Sequence, residues 1–378
     1  MQDENQCAAY DEPAFNPTRL IVARQQRNLT RKALADRVGV SAQAITSFES
    51  GSSKPSITTC RHIALGLDFD RAFFYGDDLA EIPVEGITFR SRSCMSASVR
   101  YKTLSSSKLA AGLLSPAIRR RFGLPEPSVP DLCDVRPKDA AVSVRNEWEL
   151  GPGPIMNMVH LLEAKGVEMY WFEEESQFVD AVSFWWDNRP YALVSLRKRG
   201  GERARFDVAH ELGHLVLHRR CRDLDSKQVE SEANQFASEF LLPETQFRLE
   251  CPAFPMLEDF YQLKPRWQVS VQAMIYRCHD LGLMSDRQYQ LAFKEVSARG
   301  ERRTERGELS FEESEIHSQI LERLAARDVY AEDLAREIRL RLDDLTNLMP
   351  VAKRYSKKPE DDRSGRLTIE ELGYEPSE

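Results

Sequence analysis

The most informative stretch of this chain of 378 residues reads Phe206-Asp207-Val208-Ala209-His210-Glu211-Leu212-Gly213-His214-Leu215-Val216-Leu217-His218. Apolar residues recur through it at helical spacing, which predicts a helix packed in a core. His210 and His214 are four residues apart, so a helix places both imidazoles on one face, one turn apart. Two histidines in this arrangement can bind one zinc ion from the same side.

Glu211 adds hydrolytic chemistry to this histidine pair. It directly follows His210, so it lies one step around the helix, beside the metal rather than on it. A general base for a metal-bound water has to stand there. The alternative is a helix whose histidines are polar surface residues, but Val208, Leu212 and Leu215 make this a core helix. Unpartnered His and Glu side chains are costly in a core, and a metal ion with its water removes that cost.

A third metal ligand is expected on the next helical segment, which is amphipathic and ends at Pro243. Glu230 and Asn234 are spaced i and i+4 there, so a ligating carboxylate is followed one turn later by an amide that can orient the ligands. Glu232 competes for the ligand position, although it lies two residues further on and so on another face. Glu239 is expected to face solvent.

Two roles near this site stay open. His218 continues the histidine series by one more turn, and we interpret it as a structural or helix-end residue rather than a ligand. A hydrolase of this kind also needs a donor for the tetrahedral oxyanion. Tyr261, Tyr276 and Arg266 are candidates, and the sequence does not choose among them.

These motifs resemble a known family. The segment Arg205 to His214, followed by Glu230-x-Glu232-Ala233-Asn234-x-Phe236-Ala237 and Leu241-Leu242-Pro243, is similar to the ImmA/IrrE family of metallo-endopeptidases, and the similarity extends more loosely from about Arg145 to Leu309. The resemblance implies a gluzincin-like zinc site with His210, His214 and Glu230 as ligands and Glu211 as catalytic acid/base. It also implies a narrow set of protein substrates, typically transcriptional repressors.

A second signal lies near the N-terminus. Thr30 is a predicted N-cap, Gly39 occupies a short turn, Ser41 caps a helix that begins at Ala42, and Gly51 ends that helix. The segments from Leu29 to Ser41 and from Ile45 to Pro55 resemble the Cro/lambda-repressor-like (XRE) helix-turn-helix domain. The resemblance implies binding of double-stranded operator DNA.

The charge of this N-terminal region agrees with DNA binding. Between Phe15 and Gly76 the sequence holds nine Lys or Arg against four Asp or Glu, a net charge of +5 within a chain of −8. Such a basic island suits phosphates, although a helical protein-interaction module with a basic solvated face has the same composition.

The expected DNA contacts lie at the starts of the second and third helices. Arg31, Ser41, Gln43 and Thr46 are predicted DNA-binding residues, with Arg31, Gln43 and Thr46 at positions where base-edge contacts arise. Arg24 and Lys54 are predicted to meet phosphates. Arg31 departs from the glutamine common at its position in the family, so the preferred DNA sequence cannot be derived.

Composition narrows the class of protein. No apolar run approaches the roughly 18 residues that a membrane span needs, and no signal peptide opens the chain. The seven cysteines are odd in number and unclustered, which indicates reduced thiols rather than a disulfide framework. We therefore expect a cytoplasmic protein with no membrane partner.

The predicted fold class is mainly α with a small β-sheet (α+β). The predicted division is a flexible tail (1–14), a helix-turn-helix domain (15–78), a connector (79–140), a zincin-like metallopeptidase domain (141–299), a helical C-terminal region (300–350) and a polar tail (351–378). Strands are expected at Val167 to Phe172, Val182 to Trp186 and Tyr191 to Leu196, with a turn from Asp187 to Pro190. The last strand, if exposed, could pair with an extended substrate peptide. Residues 330–345 could mimic a second helix-turn-helix, but their acidity indicates a packing or dimer element.

The sequence thus predicts a DNA-binding transcriptional regulator with a zinc-dependent endopeptidase domain. Its expected partners are operator DNA, a protein substrate such as a transcriptional repressor, and a second copy of the chain. The alternative is a DNA-binding repressor whose metallopeptidase-like fold is a non-proteolytic ligand or stress sensor. The intact Glu211 disfavours that alternative, because a structural zinc site needs no free carboxylate there.

Overall fold

A computed structural model describes residues 14–82, 96–173, 179–196, 200–220 and 226–357. The described part is mostly helical with one three-stranded sheet, which confirms the predicted α+β class. None of the described helices is long and apolar enough to cross a membrane.

The N-terminal domain, called here the head, begins with four capped helices. They are α1 (Pro17–Gln26), α2 (Arg31–Val38), α3 (Ala42–Glu49) and α4 (Ile57–Leu67), followed by a 3-10 helix (Arg71–Tyr75). As predicted, the Thr30 and Ser41 side chains accept hydrogen bonds from backbone N–H groups in the first turns of α2 and α3. Gly39 has a φ of 73°, a left-handed conformation that glycine adopts without strain, and so allows the sharp turn between these helices.

The segment that was predicted as a connector packs against the head. It contains α5 (Ala97–Leu109), a π-helical segment (Ala110–Leu114) and α6 (Ser115–Arg119). Ser106 Oγ donates to Gln26 Oε1 on α1 at 3.2 Å, in a buried position. Leu104 and Leu109 join the same apolar core as the head. This segment therefore continues the core of the head.

The sheet consists of β1 (Glu168–Phe172), β2 (Ala181–Trp186) and β3 (Arg189–Ser195). Its strand order is β1-β3-β2, with β1 parallel and β2 antiparallel to β3. Asp187 and Asn188 have φ values of 48° and 56° and form a two-residue turn, the conformation that tight hairpins favour. The last strand could pair with a substrate peptide only if exposed, and it is not, because β3 is the central strand and its backbone is paired on both sides. The edge strand β2 contacts the helix that carries His210 and His214, called here the histidine helix.

The two faces of the sheet belong to two different cores. Met169 and Ala192 point toward the histidine helix, whereas Tyr170 and Leu193 point toward the core shared with the head. This alternation follows from the period of two along a strand. The sheet therefore separates the core around the histidine helix from the core that is shared with the head.

The remaining helices pack around this sheet. They are α7 (Pro137–Glu147), α8 (Met158–Ala164), α9 (Gly201–Leu217), α10 (Ser226–Leu241), α11 (Glu244–Glu250), α12 (Leu257–Trp267), α13 (Val271–Asp280), α14 (Asp286–Ala298), α15 (Glu315–Ala325), α16 (Ala331–Glu337) and α17 (Leu342–Leu348). A 3-10 helix (Pro350–Tyr355) follows and buries Val351 and Ala352, so the folded region extends past the predicted start of the polar tail.

One expectation about a side chain in this region was wrong. Glu239 was expected in solvent, but it is buried, pairs with the buried Arg277 and accepts from the backbone N–H of Glu244 at 3.0 Å. The partner lies on α13, so nothing local to α10 signalled it. The four described cysteines are reduced thiols, and those of Cys251 and Cys278 lie 3.1 Å apart.

Candidate metal centre and DNA-reading face

The candidate metal centre lies between α9 and α10. Gly213 on α9 faces α10, where an added Cβ would stand 3.2 Å from both Ala233 Cα and Phe236 Cδ1. Glycine at this position therefore lets the two helices approach closely. The close approach brings Glu230 of α10 to the histidines of α9.

Three side chains converge as the spacing predicted. The Nε2 atoms of His210 and His214 are 3.0 Å apart, and the Glu230 carboxylate reaches them at 3.3 and 3.6 Å. Ligand atoms bound tetrahedrally to zinc at ordinary bond lengths stand about 3.4 Å apart. The three separations lie close to that value, so the group has the shape of a three-ligand zinc site.

The protonation states of this group suit a cation. Burial lowers the pKa of His214 to about 3, so its imidazole is neutral, the form that binds metals. Burial alone would raise the pKa of Glu230, but the adjacent rings of His210 and His214 outweigh it and lower this pKa to about 2. Oε2 of Glu230 is buried without a hydrogen bond among the described residues. An ionised, unsatisfied oxygen beside the neutral imidazole of His214 fits a bound zinc ion.

Asn234 has the orienting contact that was expected of it. Its Oδ1 lies 3.0 Å from His210 Nδ1, and an amide oxygen can only accept, so the Nδ1–H of His210 donates. The free lone pair of His210 is then on Nε2, which faces the other two ligand candidates. The amide thus fixes the tautomer and the ring plane of this histidine.

Glu211 lies beside the group, with His210, Glu211 and His214 all within 4.8 Å of one another. Burial raises its pKa to about 7, which is the range of an efficient general base at neutral pH. Ser183 Oγ on β2 donates to Glu211 Oε2 at 2.5 Å. Ser183 was not predicted, although a lone serine in the apolar run of β2 was a visible signal. The Glu211 carboxylate is thus engaged by β2, while that of Glu230 faces both histidines.

Glu232 and His218 stand behind the ligand group. Glu232 Oε2 lies 2.9 Å from His218 Nε2, and His218 Nδ1 lies 3.0 Å from His214 Nδ1. Glu232, the competing candidate for the third ligand, is therefore engaged with His218. His218 in turn contacts the rear nitrogen of His214 rather than the ligand side.

The three oxyanion candidates are engaged in the layer of α11 to α14. Tyr261 donates to Glu301, and Arg266 binds Glu250 in a bidentate pair at 2.7 Å. The ring of Tyr276 packs against Tyr289 and Phe293. These contacts favour none of the three residues as the donor to the oxyanion.

The predicted DNA-binding residues divide into two groups. Ser41, Gln43 and Lys54 are exposed, and Thr46 is partly exposed on the same helix as Gln43. Arg24 and Arg31 instead bind the two carboxylate oxygens of the buried Glu49, each at 2.5 Å. The net charge of the head therefore overstates the number of cations that are free for phosphates.

Two family models match this chain. Residues 20–74 match a helix-turn-helix model, and residues 187–279 match the peptidase-family model described as the IrrE N-terminal-like domain. The chain combines these two domains. The match to the IrrE-like model spans β3, α9 and α10, and so includes all the candidate ligands of the metal centre.

Other comparisons add little. No curated protein matches the chain. Among solved structures, it is similar to PlcR of Bacillus thuringiensis in complex with the peptide PapR7 and DNA, at 12% identity over 90% of this chain and 93% of that chain, with a TM-score of 0.15. It is also similar to ComR from Streptococcus suis, at 10% identity over 85% of each chain, with a TM-score of 0.15. Scores this low carry no argument about the fold or the function of this chain.

Proposed function

We propose that this protein is a DNA-binding transcriptional regulator whose IrrE-like domain is a zinc-dependent endopeptidase. The proposal is carried by one observation, the convergence of His210, His214 and Glu230 with the buried Glu211 beside them. The resemblance to the ImmA/IrrE family supports a substrate that is itself a regulator of transcription, such as a repressor.

The chemistry assigns each side chain one task. His210, His214 and Glu230 would hold the zinc ion, which supplies a Lewis acid that polarises the scissile carbonyl and acidifies a water molecule. Glu211 accepts a proton from the attacking water as the oxygen bonds to the carbonyl carbon. It then delivers this proton to the nitrogen when the C–N bond breaks. Ser183 holds Oε2 of Glu211, which leaves Oε1 to carry the proton.

A Glu211→Gln variant separates cleavage from metal binding. We expect it to keep about one zinc per chain and to lose peptide cleavage, because the base is removed and the ligands remain. His214→Ala is the matched variant on the same helix, and we expect it to lose zinc and cleavage together. The substrates are a proteome-derived peptide library and the chain itself, each incubated with and without chelator and read by mass spectrometry.

The outcomes distinguish the two functions. Cleavage by the wild type that disappears in Glu211→Gln supports the endopeptidase. Equal behaviour of wild type and Glu211→Gln in cleavage and in control of a target promoter would favour the non-proteolytic sensor. Full zinc retention by His214→Ala would show that the metal site is wrongly assigned.

The head is proposed to read DNA through α3. Gln43 is exposed at the start of this helix, where base edges are contacted in helix-turn-helix domains. We expect Gln43→Ala to lose about 1–3 kcal/mol of binding free energy for the preferred duplex and little for random DNA. Lys54→Ala should weaken both and reduce the salt slope by about one. Fluorescence anisotropy at several salt concentrations measures both effects.

Random-sequence selection supplies the preferred duplex for this test. If the selection enriches no duplex and the whole protein shows no salt-dependent affinity for random DNA, the head is a protein-interaction module and the regulator proposal fails.

A further inference from the structure

A chain of three side chains leads away from the proposed zinc site on the His214 side. His214 Nδ1 lies 3.0 Å from His218 Nδ1, and His218 Nε2 lies 2.9 Å from Glu232 Oε2. The other oxygen of Glu232 accepts from the Gln228 side-chain amide at 2.8 Å. His218 is buried, whereas Glu232 is partly exposed at the far end.

The direction of every hydrogen in this chain follows from chemistry. An ionised carboxylate can only accept, so the hydrogen of His218 is on Nε2 and points to Glu232. The lone pair of His218 is then on Nδ1, which accepts from the Nδ1–H of His214. The lone pair of His214 is left on Nε2, the atom that faces His210 and Glu230. His210 gains the same orientation from a single amide, that of Asn234.

We propose that His218 and Glu232 are positioning residues that fix the tautomer and ring plane of His214 for zinc binding. The inference rests on the zinc site of the proposed function and does not require peptide cleavage. In this arrangement Glu232 acts on His214 through His218, whereas Glu230 is the carboxylate that binds the metal. Partners of metal-binding histidines that accept the second ring N–H commonly raise metal affinity by about 10–100-fold.

Zinc affinity of the metal-free protein tests this proposal. Zinc is titrated in competition with a chromophoric chelator, and the visible spectrum of the cobalt-substituted protein reports the ligand geometry. We expect His218→Phe and Glu232→Ala to keep about one zinc per chain but to bind it about 10–100-fold more weakly. The double variant should bind no more weakly than His218→Phe, because both residues act through one chain of hydrogen bonds. Glu232→Asp should restore part of the affinity.

A similar pair elsewhere in the molecule provides the control. His279 Nε2 lies 2.7 Å from Asp286 Oδ1 on α13 and α14, away from the metal centre. His279→Phe and Asp286→Ala should leave zinc affinity and the cobalt spectrum unchanged. Equal melting temperatures of the metal-free variants show that the fold is kept.

Several results would overturn the proposal. Affinities of both variants within twofold of the wild type would remove the positioning role. Loss of zinc stoichiometry in Glu232→Ala alone would make Glu232 a direct ligand. A wild type that takes up no zinc would overturn this inference and the metal site together, whereas zinc binding without any cleavage would overturn only the endopeptidase.

A second observation concerns the three C-terminal helices, which repeat the first three helices of the head at a constant offset of 300 residues. Helices α1, α2 and α3 correspond to α15, α16 and α17. Buried apolar positions coincide at this offset, and the pairs are Leu20 with Ile320, Leu34 with Leu334, Ala35 with Ala335, Val38 with Ile338, Ile45 with Leu345 and Phe48 with Leu348.

The turns between these helices also repeat in detail. Asn28 and Asp328 both have a φ of 56°, and Gly39 and Arg339 have φ values of 73° and 60°. The backbone hydrogen bonds match as well. Two such pairs are Leu29 N to Arg24 O with Val329 N to Leu324 O, both 3.1 Å, and Val40 N to Ala35 O with Leu340 N to Ala335 O, at 3.1 and 2.9 Å. Left-handed residues at the same two turns distinguish this repeat from a chance pairing of helices.

The two copies differ in the face that would read DNA. Position 46 of α3 is partly exposed, but its counterpart Thr346 on α17 is buried. The neighbouring Asp344 is buried as well and binds Arg27 of the head through two hydrogen bonds of 2.6 and 2.7 Å. Arg339 donates to the Ala72 carbonyl at 3.1 Å, also in the head.

Two carboxylates connect the C-terminal copy to α8 by capping helix N-termini. Glu312 accepts from the backbone N–H groups of Met158 and Val159 at the start of α8, at 2.8 and 3.1 Å. Glu163 at the end of α8 accepts from the N–H groups of Glu315 and Ile316 at the start of α15, at 3.0 and 3.3 Å. Each contact satisfies helix N–H groups that have no partner within their own helix.

We infer that residues 315–349 are a second helix-turn-helix unit whose third helix is turned inward, onto β1 and, through Asp344, onto the end of α1, instead of toward DNA. The unit packs on β1, and its Asp344 and Arg339 bind Arg27 and the Ala72 carbonyl of the head, so it joins the head to the sheet. Removal of Arg27 would leave the buried Asp344 carboxylate without its partner, so the contact is sensitive to single substitutions.

Hydrogen exchange in the full chain tests the docking. Asp344→Asn should accelerate exchange of the α17 backbone and of residues 24–29 at least tenfold, while the buried core of α2 stays protected. Asp343→Asn is the matched control, because Asp343 is the exposed neighbour in the same first turn. It changes the charge of that turn equally and should leave exchange unchanged. Equal exchange in the two variants, or an unfolded Asp344→Asn head with loss of α2 protection, would overturn a docking role for this contact.

Discussion

His317 on α15 is a buried histidine without a hydrogen bond at Nδ1 among the described residues. It is 4% exposed, and its ring lies 5.3 Å from that of Tyr170. Burial lowers its pKa from 6.5 to about 3, so the folded protein keeps it neutral where the unfolded chain binds a proton. Its contribution to stability is present above pH 6.5 and is lost as the pH falls toward 3.

We expect the free energy of unfolding to fall below this pH by up to about 1.4 kcal/mol per pH unit through this one group. His317→Gln should remove that part of the slope. Urea unfolding at about pH 7.5 and about pH 5 measures it, with the exposed His62→Gln as control. Equal slopes in the two variants would contradict the assignment, whatever the change in absolute stability.

In the candidate metal centre, the placement of single residues was predictable wherever the helix itself fixes their geometry. The positions of His210, His214 and Glu211 follow from spacing along α9, and Asn234 follows from its spacing to Glu230. Ser183 could not be derived in this way, because it reaches Glu211 from a strand 28 residues earlier in the chain. Contacts between elements depend on packing, which sequence spacing does not encode.

At the scale of elements, the approach of α10 to α9 depends on Gly213. An alanine there would place its Cβ 3.2 Å from Ala233 Cα and 3.3 Å from Ala233 O, closer than backbone atoms tolerate comfortably. Overpacking of this kind costs about 1–3 kcal/mol, whereas the better helix propensity of alanine returns about 1 kcal/mol. We therefore expect a net loss of stability and, because Glu230 is carried by α10, weaker zinc binding.

Thermal unfolding and chelator competition check Gly213→Ala. Gly123→Ala is the control, since nothing lies within 4 Å of its added Cβ. Wild-type zinc affinity in Gly213→Ala would mean that α10 adjusts without moving its carboxylate.

The strands show the limit of prediction at this scale. Apolar runs predicted three strands with nearly the observed bounds, but local patterns do not specify which strands pair. The chain forms β2 and β3 as a hairpin and then places β3 beside β1. That order makes β1 and β2 the two edge strands and puts Ser183 of β2 against α9, a consequence of tertiary packing alone.

At the scale of the whole molecule, the acidity of the C-terminal helices was interpreted as an argument against DNA contact. The structure gives that acidity a partner, since Asp344 binds Arg27 although the two are 317 residues apart in sequence. The helices themselves were predictable from their periodicity. Their docking was not, because it depends on a charge pair that only the folded chain brings together.

A single head presents one reading helix, so it covers only half of a two-fold operator. We therefore expect tight binding to require two copies of the chain on a palindrome whose half-sites are one helical turn apart, about 34–36 Å. Inserting about 5 base pairs between the half-sites turns the second one to the opposite side of the duplex and should reduce affinity to that of a half-site. Sedimentation of the complexes and fluorescence anisotropy on the selected duplex, the spaced duplex and the half-site measure this.

The exposed Gln43→Ala change should lower affinity for the palindrome about twice as much, in free energy, as for the half-site, because two copies of α3 would lose the contact. Equal affinity for all three duplexes, with one protein chain on each, would contradict the dimer.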